Sequence, residues 1–279
     1  MKKFCAILFS FVLVLMLALP VAAEDAAGES DSLFDTAPAL TAPAGYVVNL
    51  DTNIVVYEKN SETQLSAASL TKMMTALLVL ESGTDLNASI TIPASLTPEL
   101  QSIRANRGHT IGLQAGETVR RIDLLYGLLV ASANDAASVI ASDVSGGNLP
   151  AFVSMMNQKA QELGCTGTNF TCAHGLFDYG NVSTAQDLAK IAAACAENQT
   201  FAQVAGTASY VLPATNLRKA EYTISSSNSL MNSESSNYRE YVQWVKGGFT
   251  TLAGRCIVAF AEKLSLIHIS EPTRRSYIS

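Results

Sequence analysis

A serine and a lysine spaced three residues apart, Ser69 and Lys72, are the residues of this chain best suited to nucleophilic chemistry. Residues three apart on a helix lie on one face. The apolar run 73–81 predicts a buried helix with Ser69 in its first turn, where unpaired N–H groups can stabilise an oxyanion. A lysine desolvated against that run would have a lowered pKa and could deprotonate Ser69. Alone, the spacing also fits a helix start beside a surface lysine.

Two further short motifs follow along the chain. Ser132-Ala133-Asn134 stands between two predicted helices, 120–129 and 135–142. Lys246-Gly247-Gly248 stands at the edge of a predicted strand. Both have a purely structural explanation, because serine and asparagine commonly cap helices and a strand-edge lysine is commonly solvated. The order of the three motifs is more informative than any one of them.

The elements that would position these motifs are strands at both ends of the fold and helices between them. Alternating apolar residues predict a hairpin, and later short strands follow a series of helices. The predicted strands are 45–50, 54–57, 210–213, 221–225, 244–246 and 255–261. Gly247-Gly248 is predicted to end the strand 244–246 before the last strand begins. Further helices are predicted at 149–163 and 183–196, whereas 87–116 reads as short strands or loops. The sequence therefore predicts an α+β fold, an antiparallel sheet flanked by helices with a helical subdomain.

The two ends of the chain are predicted to lie outside the catalytic domain, 44–263. Residues 1–23 have the basic start, apolar centre and small-residue cleavage site of a signal peptide. An acidic, Ala- and Pro-containing leader, 24–43, is expected to be flexible. Residues 264–279 begin with a stretch that resembles a translated sequencing adapter, so we interpret them as a non-native tail, although 264–269 is apolar enough to form a strand. The predicted location is extracytoplasmic, in the cell envelope.

Composition narrows the function further. The chain has 279 residues, is 48% hydrophobic and carries a net charge of −6, so no basic surface for nucleic acid is expected. Of its five cysteines, Cys5 belongs to the signal peptide, and the other four show no metal-ligand spacing. They are expected to be free buried thiols. With only three histidines, a metal site is not expected, and no cofactor is implied.

The ordered set Ser-x-x-Lys, Ser-x-Asn and Lys-x-Gly is typical of penicillin-binding proteins and serine β-lactamases. From about residue 44 to 262 the chain resembles the serine D-Ala-D-Ala carboxypeptidases, the low-molecular-mass penicillin-binding proteins. The resemblance includes the segments around each motif, namely 68–76, 123–137, 174–176 and 183–189. It implies a hydrolase of peptidoglycan stem peptides ending in D-Ala-D-Ala, with roles in cell-wall biogenesis and cell shape, that is acylated by β-lactam antibiotics.

The resemblance also implies a role for each motif residue. Ser69 attacks the carbonyl between the two D-alanines, and Lys72 is its base. Ser132 relays a proton to the leaving amine, and Asn134 holds the substrate amide or Lys72. Backbone N–H groups of Ser69 and Phe249 form the oxyanion hole. Lys246, with Gly248 beside it on the strand edge, faces the terminal carboxylate of the substrate.

Three departures from the family pattern stand out. Gly247 replaces the usual Thr or Ser of the third motif, so recognition of the carboxylate should be weakened. Cys172 stands where Asn is common. The closing strand and helix, the C-terminal β domain and a membrane-anchoring segment are missing. Membrane association of a longer native protein, and poor stability of the chain as it stands, are therefore expectations.

The sequence is also compatible with two other functions. A β-lactamase of the same fold would need a separate base for deacylation, and Glu162 lies in a predicted helix end rather than beside the motifs. A non-catalytic penicillin- or cell-wall-binding protein would fit the altered third motif. His109 and His174 are expected to be structural residues, because lysine already fills the role of the base.

Overall fold

The computed structural model describes residues 40–176, 178–263 and 274–278. The predicted signal peptide, most of the predicted leader and the predicted strand 264–269 lie outside these residues. At the end of the leader, Lys59 donates hydrogen bonds to the carbonyl oxygens of Leu40 and Ala42, at 2.8 and 2.9 Å. Residues 40–43 are thereby attached to the first hairpin.

The described residues form seven α-helices and eleven strands. The helices are α1 (Thr71–Glu81), α2 (Thr97–Ala105), α3 (Arg121–Leu129), α4 (Asn134–Val144), α5 (Leu149–Glu162), α6 (Ala185–Ala196) and α7 (Gln199–Ala205). The strands are β1 (Gly45–Asn49), β2 (Ile54–Lys59), β3 (Leu65–Ser66), β4 (Ser89–Thr91), β5 (Thr118–Arg120), β6 (Val182–Ser183), β7 (Ser209–Leu212), β8 (Tyr222–Ser225), β9 (Val242–Thr250), β10 (Gly254–Lys263) and β11 (Arg274–Ile278).

The main sheet has five antiparallel strands in the order β2-β1-β11-β10-β9. It joins the first hairpin of the chain to the last, as the sequence predicted. Strand β11, which belongs to the predicted non-native tail, pairs with both β1 and β10 and so completes the sheet between them. Without it, the first and last hairpins would present unpaired strand edges to each other.

Helix α1 lies at the centre of the helical layer. Its sequence combines good helix formers with apolar residues on all sides, a pattern typical of a buried helix, and residues 71–79 are all buried. It contacts α3, α4, α5, α6 and α7. This burial fixes Lys72, near the start of the helix, inside the protein rather than on its surface.

Three local predictions were wrong. Strand β9 continues through Gly247-Gly248, because both glycines pair in register with β10, opposite Ile257 and Cys256. Ser69 lies in a short 3₁₀ turn, Ala68–Leu70, that precedes α1, and not in the first turn of the helix. Within 87–116, residues 97–105 form helix α2, which begins with a proline at its first turn and buries only Leu100 and Ile103.

The cysteines, the helices and the potential metal ligands give three further results. Cys165, Cys172, Cys195 and Cys256 are free thiols, but Cys172 and Cys256 are half-buried rather than buried. None of the helices in the described part of the chain is long and apolar enough to cross a membrane. The same residues contain no group of His, Cys, Asp and Glu side chains arranged to hold a metal ion.

Candidate active site

The turn that carries Ser69 is held in an unusual conformation. Ala68 has φ of +45°, in the left-handed region that costs an L-residue about 1–2 kcal/mol. Its carbonyl is packed against Gly175, where an added Cβ would overlap the carbonyl oxygen of Ala68 and come 2.7 Å from Thr71 Oγ1. Asn181 donates to Thr71 Oγ1 at 2.8 Å and accepts from the N–H of Ala67 at 3.3 Å. The loop before α6 therefore positions the candidate nucleophile.

Lys72 is completely buried directly beside Ser69. Its Nζ lies 3.0 Å from Ser69 Oγ, 2.7 Å from Asn134 Oδ1 and 2.6 Å from the carbonyl oxygen of His174. Burial, and then the charge of Lys246, hold the pKa of Lys72 well below its usual value. A neutral amine here can donate to the two carbonyl-type oxygens and accept the Ser69 proton with its lone pair. This is the arrangement that a general base requires.

The second motif lies in the tight connection between α3 and α4. Ser132 has φ of +56°, a strained conformation for a non-glycine residue. The two residues that follow Ser132 fix the connection: the backbone N–H groups of Ala133 and Asn134 donate to the carbonyls of Gly127 and His109, at 2.9 and 2.8 Å. The Ser132 side chain is thereby held at the cleft, where Lys246 donates to its Oγ at 2.8 Å.

A buried carboxylate supports the start of α4. Asp135 accepts from the backbone N–H groups of Ile111 and Leu113, at 3.1 and 3.0 Å. Burial raises the pKa of Asp135, while these hydrogen bonds act in the opposite direction. The contact ties the segment before β5 to the residue that follows Asn134. Asp135 could not be assigned to the site from the sequence, because its contacts are with residues more than twenty positions away.

Lys246 brings a second amine to the same site from β9. It is only 2% exposed, and its Nζ donates to Ser132 Oγ and to the carbonyl of Gly247, both at 2.8 Å. Burial lowers the pKa of Lys246 to about 8. Lys246 is therefore not a solvated strand-edge lysine, and with a pKa of about 8 it is largely charged at neutral pH.

Gly248 allows β9 to approach the nucleophile closely. A Cβ at this position would lie 3.0 Å from the backbone nitrogen of Ser69 and 2.7 Å from Cys256 Sγ. A Cβ at Gly247, by contrast, would have no neighbouring atom closer than 4.0 Å among the described residues. The next residue, Phe249, is 67% exposed at the rim of the site.

These motifs meet in one cleft of about 640 Å³. Six of the seven predicted site residues line it, namely Ser69, Ser132, Asn134, Lys246, Gly248 and Phe249. The seventh, Lys72, lies beneath Ser69. A separate cavity of about 390 Å³, between β4, β5 and the β7–β8 hairpin, contains none of them. We therefore assign the candidate active site to the larger cleft.

The site is completed by residues that were predicted to be structural or were not predicted at all. His174 contributes its backbone carbonyl to Lys72, while its Nε2 lies 3.2 Å from Glu99 Oε1 on α2. Its ring thus contacts α2, and its structural role stays a prediction. The segment 225–229, which begins at the last residue of β8, forms another wall of the cleft and was not predicted to belong to the site.

The model of the D-alanyl-D-alanine carboxypeptidase family, Peptidase S11, matches residues 32–270. The chain belongs to this family. It is 32% identical over 263 residues to a D-alanyl-D-alanine endopeptidase of Escherichia coli K12, covering 92% of this chain and 78% of that protein. It is 34% identical over 181 residues to a D-alanyl-D-alanine carboxypeptidase of Streptomyces sp. K15, covering 63% of this chain and 61% of that protein.

The fold agrees with this assignment. The crystal structure of the Streptomyces K15 DD-transpeptidase superposes with a TM-score of 0.76 at 29% identity, covering 87% of this chain and 90% of that one. The predicted family, the α+β fold class and the enzyme class are confirmed: this is a serine-type D-alanyl-D-alanine peptidase.

Proposed function

We propose that this protein is a D-Ala-D-Ala carboxypeptidase that removes the terminal D-alanine from peptidoglycan stem peptides through an acyl-enzyme on Ser69. The observation that carries the proposal is the fully buried lysine beside the serine: Lys72 Nζ lies 3.0 Å from Ser69 Oγ, and burial holds the pKa of Lys72 well below its usual value. A serine hydroxyl is a weak nucleophile until a neighbouring base removes its proton.

In the first half-reaction, Ser69 Oγ attacks the carbonyl carbon between the two D-alanines and its proton passes to Lys72 Nζ. The carbonyl oxygen becomes an oxyanion, which the backbone N–H groups of Ser69 and Phe249 stabilise. The closeness of Gly248 to the Ser69 nitrogen supports this placement. Loss of one such donor typically costs about 100- to 1,000-fold in rate.

When the tetrahedral intermediate collapses, the carbon–nitrogen bond breaks and the leaving amine of D-alanine needs a proton. Ser132 is the group proposed to supply it, because its Oγ accepts from Lys246 and, among the described residues, no acceptor takes its own hydroxyl hydrogen. Asn134, which holds Lys72 through its Oδ1, can offer its amide nitrogen to the substrate amide.

In the second half-reaction, water attacks the acyl carbon. Before this step Lys72 releases to bulk water the proton it took from Ser69, and Lys246 regains one. Lys72 Nζ then takes a proton from the attacking water and returns it to Ser69 Oγ as the ester bond breaks. The cleft is positively charged, since Arg107, Lys246 and Arg255 line it. Among the described residues no carboxylate lines it. This charge suits a substrate that ends in a free carboxylate.

The absence of a cleft carboxylate from the described residues also argues against the β-lactamase alternative. Rapid hydrolysis of an acylated β-lactam needs a base for the deacylating water, in many enzymes a glutamate. Glu162 instead lies at the end of α5 and accepts from Gln158 Nε2 at 2.9 Å. We therefore expect benzylpenicillin to acylate Ser69 and to be released slowly.

We further propose that the protein acts outside the cytoplasmic membrane, because its substrate belongs to the cell wall and residues 1–23 have the pattern of a signal peptide. Detection of a mature N-terminus near residue 24 after export from a bacterial host would support this. Retention of residues 1–23 on a cytoplasmic protein would contradict it.

Intact-mass spectrometry after addition of benzylpenicillin tests the acyl-enzyme. We expect one adduct per chain, mapped to Ser69, and no adduct in Ser69→Ala or Lys72→Ala variants whose circular dichroism matches the wild type. A folded wild-type protein without an adduct would instead favour a non-catalytic binding protein.

The peptidase reaction itself is tested with two substrates. Release of D-alanine from an acyl-D-Ala-D-Ala peptide identifies a carboxypeptidase. Cleavage confined to a D-alanyl cross-link between two stem peptides would make the protein an endopeptidase and contradict the proposed substrate. Both products are separated by liquid chromatography and mass spectrometry.

A further inference from the structure

Gly247 leaves an open position at the edge of β9. This position carries the hydroxyl group of Thr or Ser in the family pattern, and Lys246 directs its charge there by donating to the Gly247 carbonyl at 2.8 Å. A Cβ built on Gly247 would meet just two atoms of the described residues within 4 Å: Asn228 Nδ2 and the carbonyl oxygen of Cys256, both at 4.0 Å. An amide nitrogen therefore faces the space that the missing side chain would enter.

Asn228 is held in a fixed orientation by its own turn. Its Oδ1 accepts from the N–H of Leu230 at 2.9 Å, and its carbonyl oxygen accepts from the N–H of Met231 at 3.3 Å. Its backbone N–H donates to Ser226 Oγ at 3.3 Å. Because the amide oxygen is occupied, the amide nitrogen is the end of the side chain that points away from the turn.

That nitrogen is available for a ligand. Asn228 is half-buried and lines the active-site cleft. Among the described residues, its Nδ2 has no hydrogen-bond acceptor. A primary amide donates two hydrogen bonds, and a donor in a partly desolvated cleft is most useful when a ligand supplies an acceptor.

We infer that Asn228 Nδ2 donates a hydrogen bond to the terminal carboxylate of the substrate, in place of the hydroxyl that Gly247 lacks. Lys246 supplies the charge and Asn228 the directional donor. The inference rests on the proposed function, because it concerns the same substrate. It predicts that the altered third motif keeps its selectivity for a carboxylate through a residue on a different strand connection.

Asn228→Asp is the most specific variant to test this. Aspartate keeps an oxygen for the Leu230 N–H and so preserves the turn, but it replaces the donor with a negative charge. Benzylpenicillin, whose carboxylate stands in for that of the peptide, and its methyl ester are the two probes. Acylation rates come from intact-mass time courses.

We expect Asn228→Asp to slow acylation by benzylpenicillin about 10- to 100-fold, the range for losing a hydrogen bond to a charged group. Acylation by the uncharged ester should change much less. Asn232→Asp is the matched control: Asn232 Oδ1 accepts from the Glu234 N–H at 3.0 Å in a similar turn, but Asn232 does not line the cleft. It should leave both rates unchanged.

Gly247→Thr provides a second, independent arm. If the threonine hydroxyl takes over the carboxylate, Asn228→Ala should cost much less in the Gly247→Thr background than in the wild type. Such non-additivity is expected of two residues that serve one ligand group. Fully additive effects would mean that the two positions do not share the carboxylate.

The outcomes separate this inference from the proposed function. A wild-type protein that benzylpenicillin does not acylate contradicts the function itself. Suppose instead that the wild type is acylated, but Asn228→Asp slows acylation by benzylpenicillin and by its ester equally, or slows neither. That result overturns the inference alone, because Asn228 would then have a structural role or none.

Discussion

Substitution of Gly175 by alanine tests how the position of Ser69 is set. Gly175 has φ of +74°, and an added Cβ would overlap the backbone carbonyl of Ala68, which is next to the nucleophile. Gly164, at the end of α5, has nearly the same φ of +72° but nothing within 4 Å of the corresponding Cβ. The two glycines differ in surroundings and not in backbone conformation.

The expected magnitudes follow from that difference. Gly164→Ala should lower the free energy of unfolding by about 1–2 kcal/mol, the cost of an L-residue in the left-handed region, and leave acylation unchanged. Gly175→Ala pays the same cost and must also displace the Ala68 carbonyl. A shift of about 1 Å at a reacting group can cost about 100-fold in rate, so acylation of Ser69 should fall by about that factor.

Urea unfolding gives the stabilities, and the rate of labelling by a fluorescent penicillin gives acylation. Labelling is measured well below the unfolding temperature of both variants, so that only folded protein is compared. If Gly175→Ala labels as fast as Gly164→Ala while being no less stable, then Gly175 does not set the position of the nucleophile and the packing argument is wrong.

Two further predictions concern β9. Gly248→Ala should slow acylation of Ser69 at least tenfold, because its Cβ would lie 3.0 Å from the Ser69 nitrogen, whereas Gly247→Ala should be tolerated; equal rates in a labelling assay would contradict this. The pKa of Lys246 is lowered to about 8, so Lys246 is charged below that pH and loses its proton above it; kcat/KM for D-alanine release should therefore decline above about pH 8. The Lys246→Arg variant stays charged up to about pH 12, so any activity that remains should not decline above pH 8. If the variant shows the same decline as the wild type, the decline is caused by the titration of another group.

The elements that the sequence predicted well are those with strong local patterns. The three motifs were found because their spacing is short and the chemistry depends on residue type. Helix α5, at Leu149–Glu162, was predicted at 149–163, since its apolar residues repeat with helical period and glycine follows it. The antiparallel sheet uniting the ends of the chain followed from the order of strands and helices alone.

The errors arise where contacts distant in sequence override local preference. Gly247-Gly248 would interrupt an isolated strand, but pairing with β10 continues through both residues. Helix α2 was missed because it has only two buried apolar residues, Leu100 and Ile103. Asn228 could not have been assigned to the cleft from sequence, because its approach to Gly247 depends on how the segment after β8 folds back against β9.

The two buried lysines explain how one site can hold both a base and an acid. Lys72 and Lys246 are each almost fully buried. In a low-dielectric site two neighbouring ammonium groups repel each other, so it is costly for both lysines to be protonated at once. Burial lowers both pKa values, and the charge of Lys246 lowers that of Lys72 further. Lys246, whose pKa is about 8, is therefore largely protonated at neutral pH and donates to Ser132, whereas burial and the charge of Lys246 together lower the pKa of Lys72, which faces Ser69. Environments that separate the pKa values of two neighbouring groups can set their catalytic roles. In the mechanism that we propose, Lys72 receives the proton of the attacking serine, and Lys246, through Ser132, supplies the proton that the departing D-alanine takes.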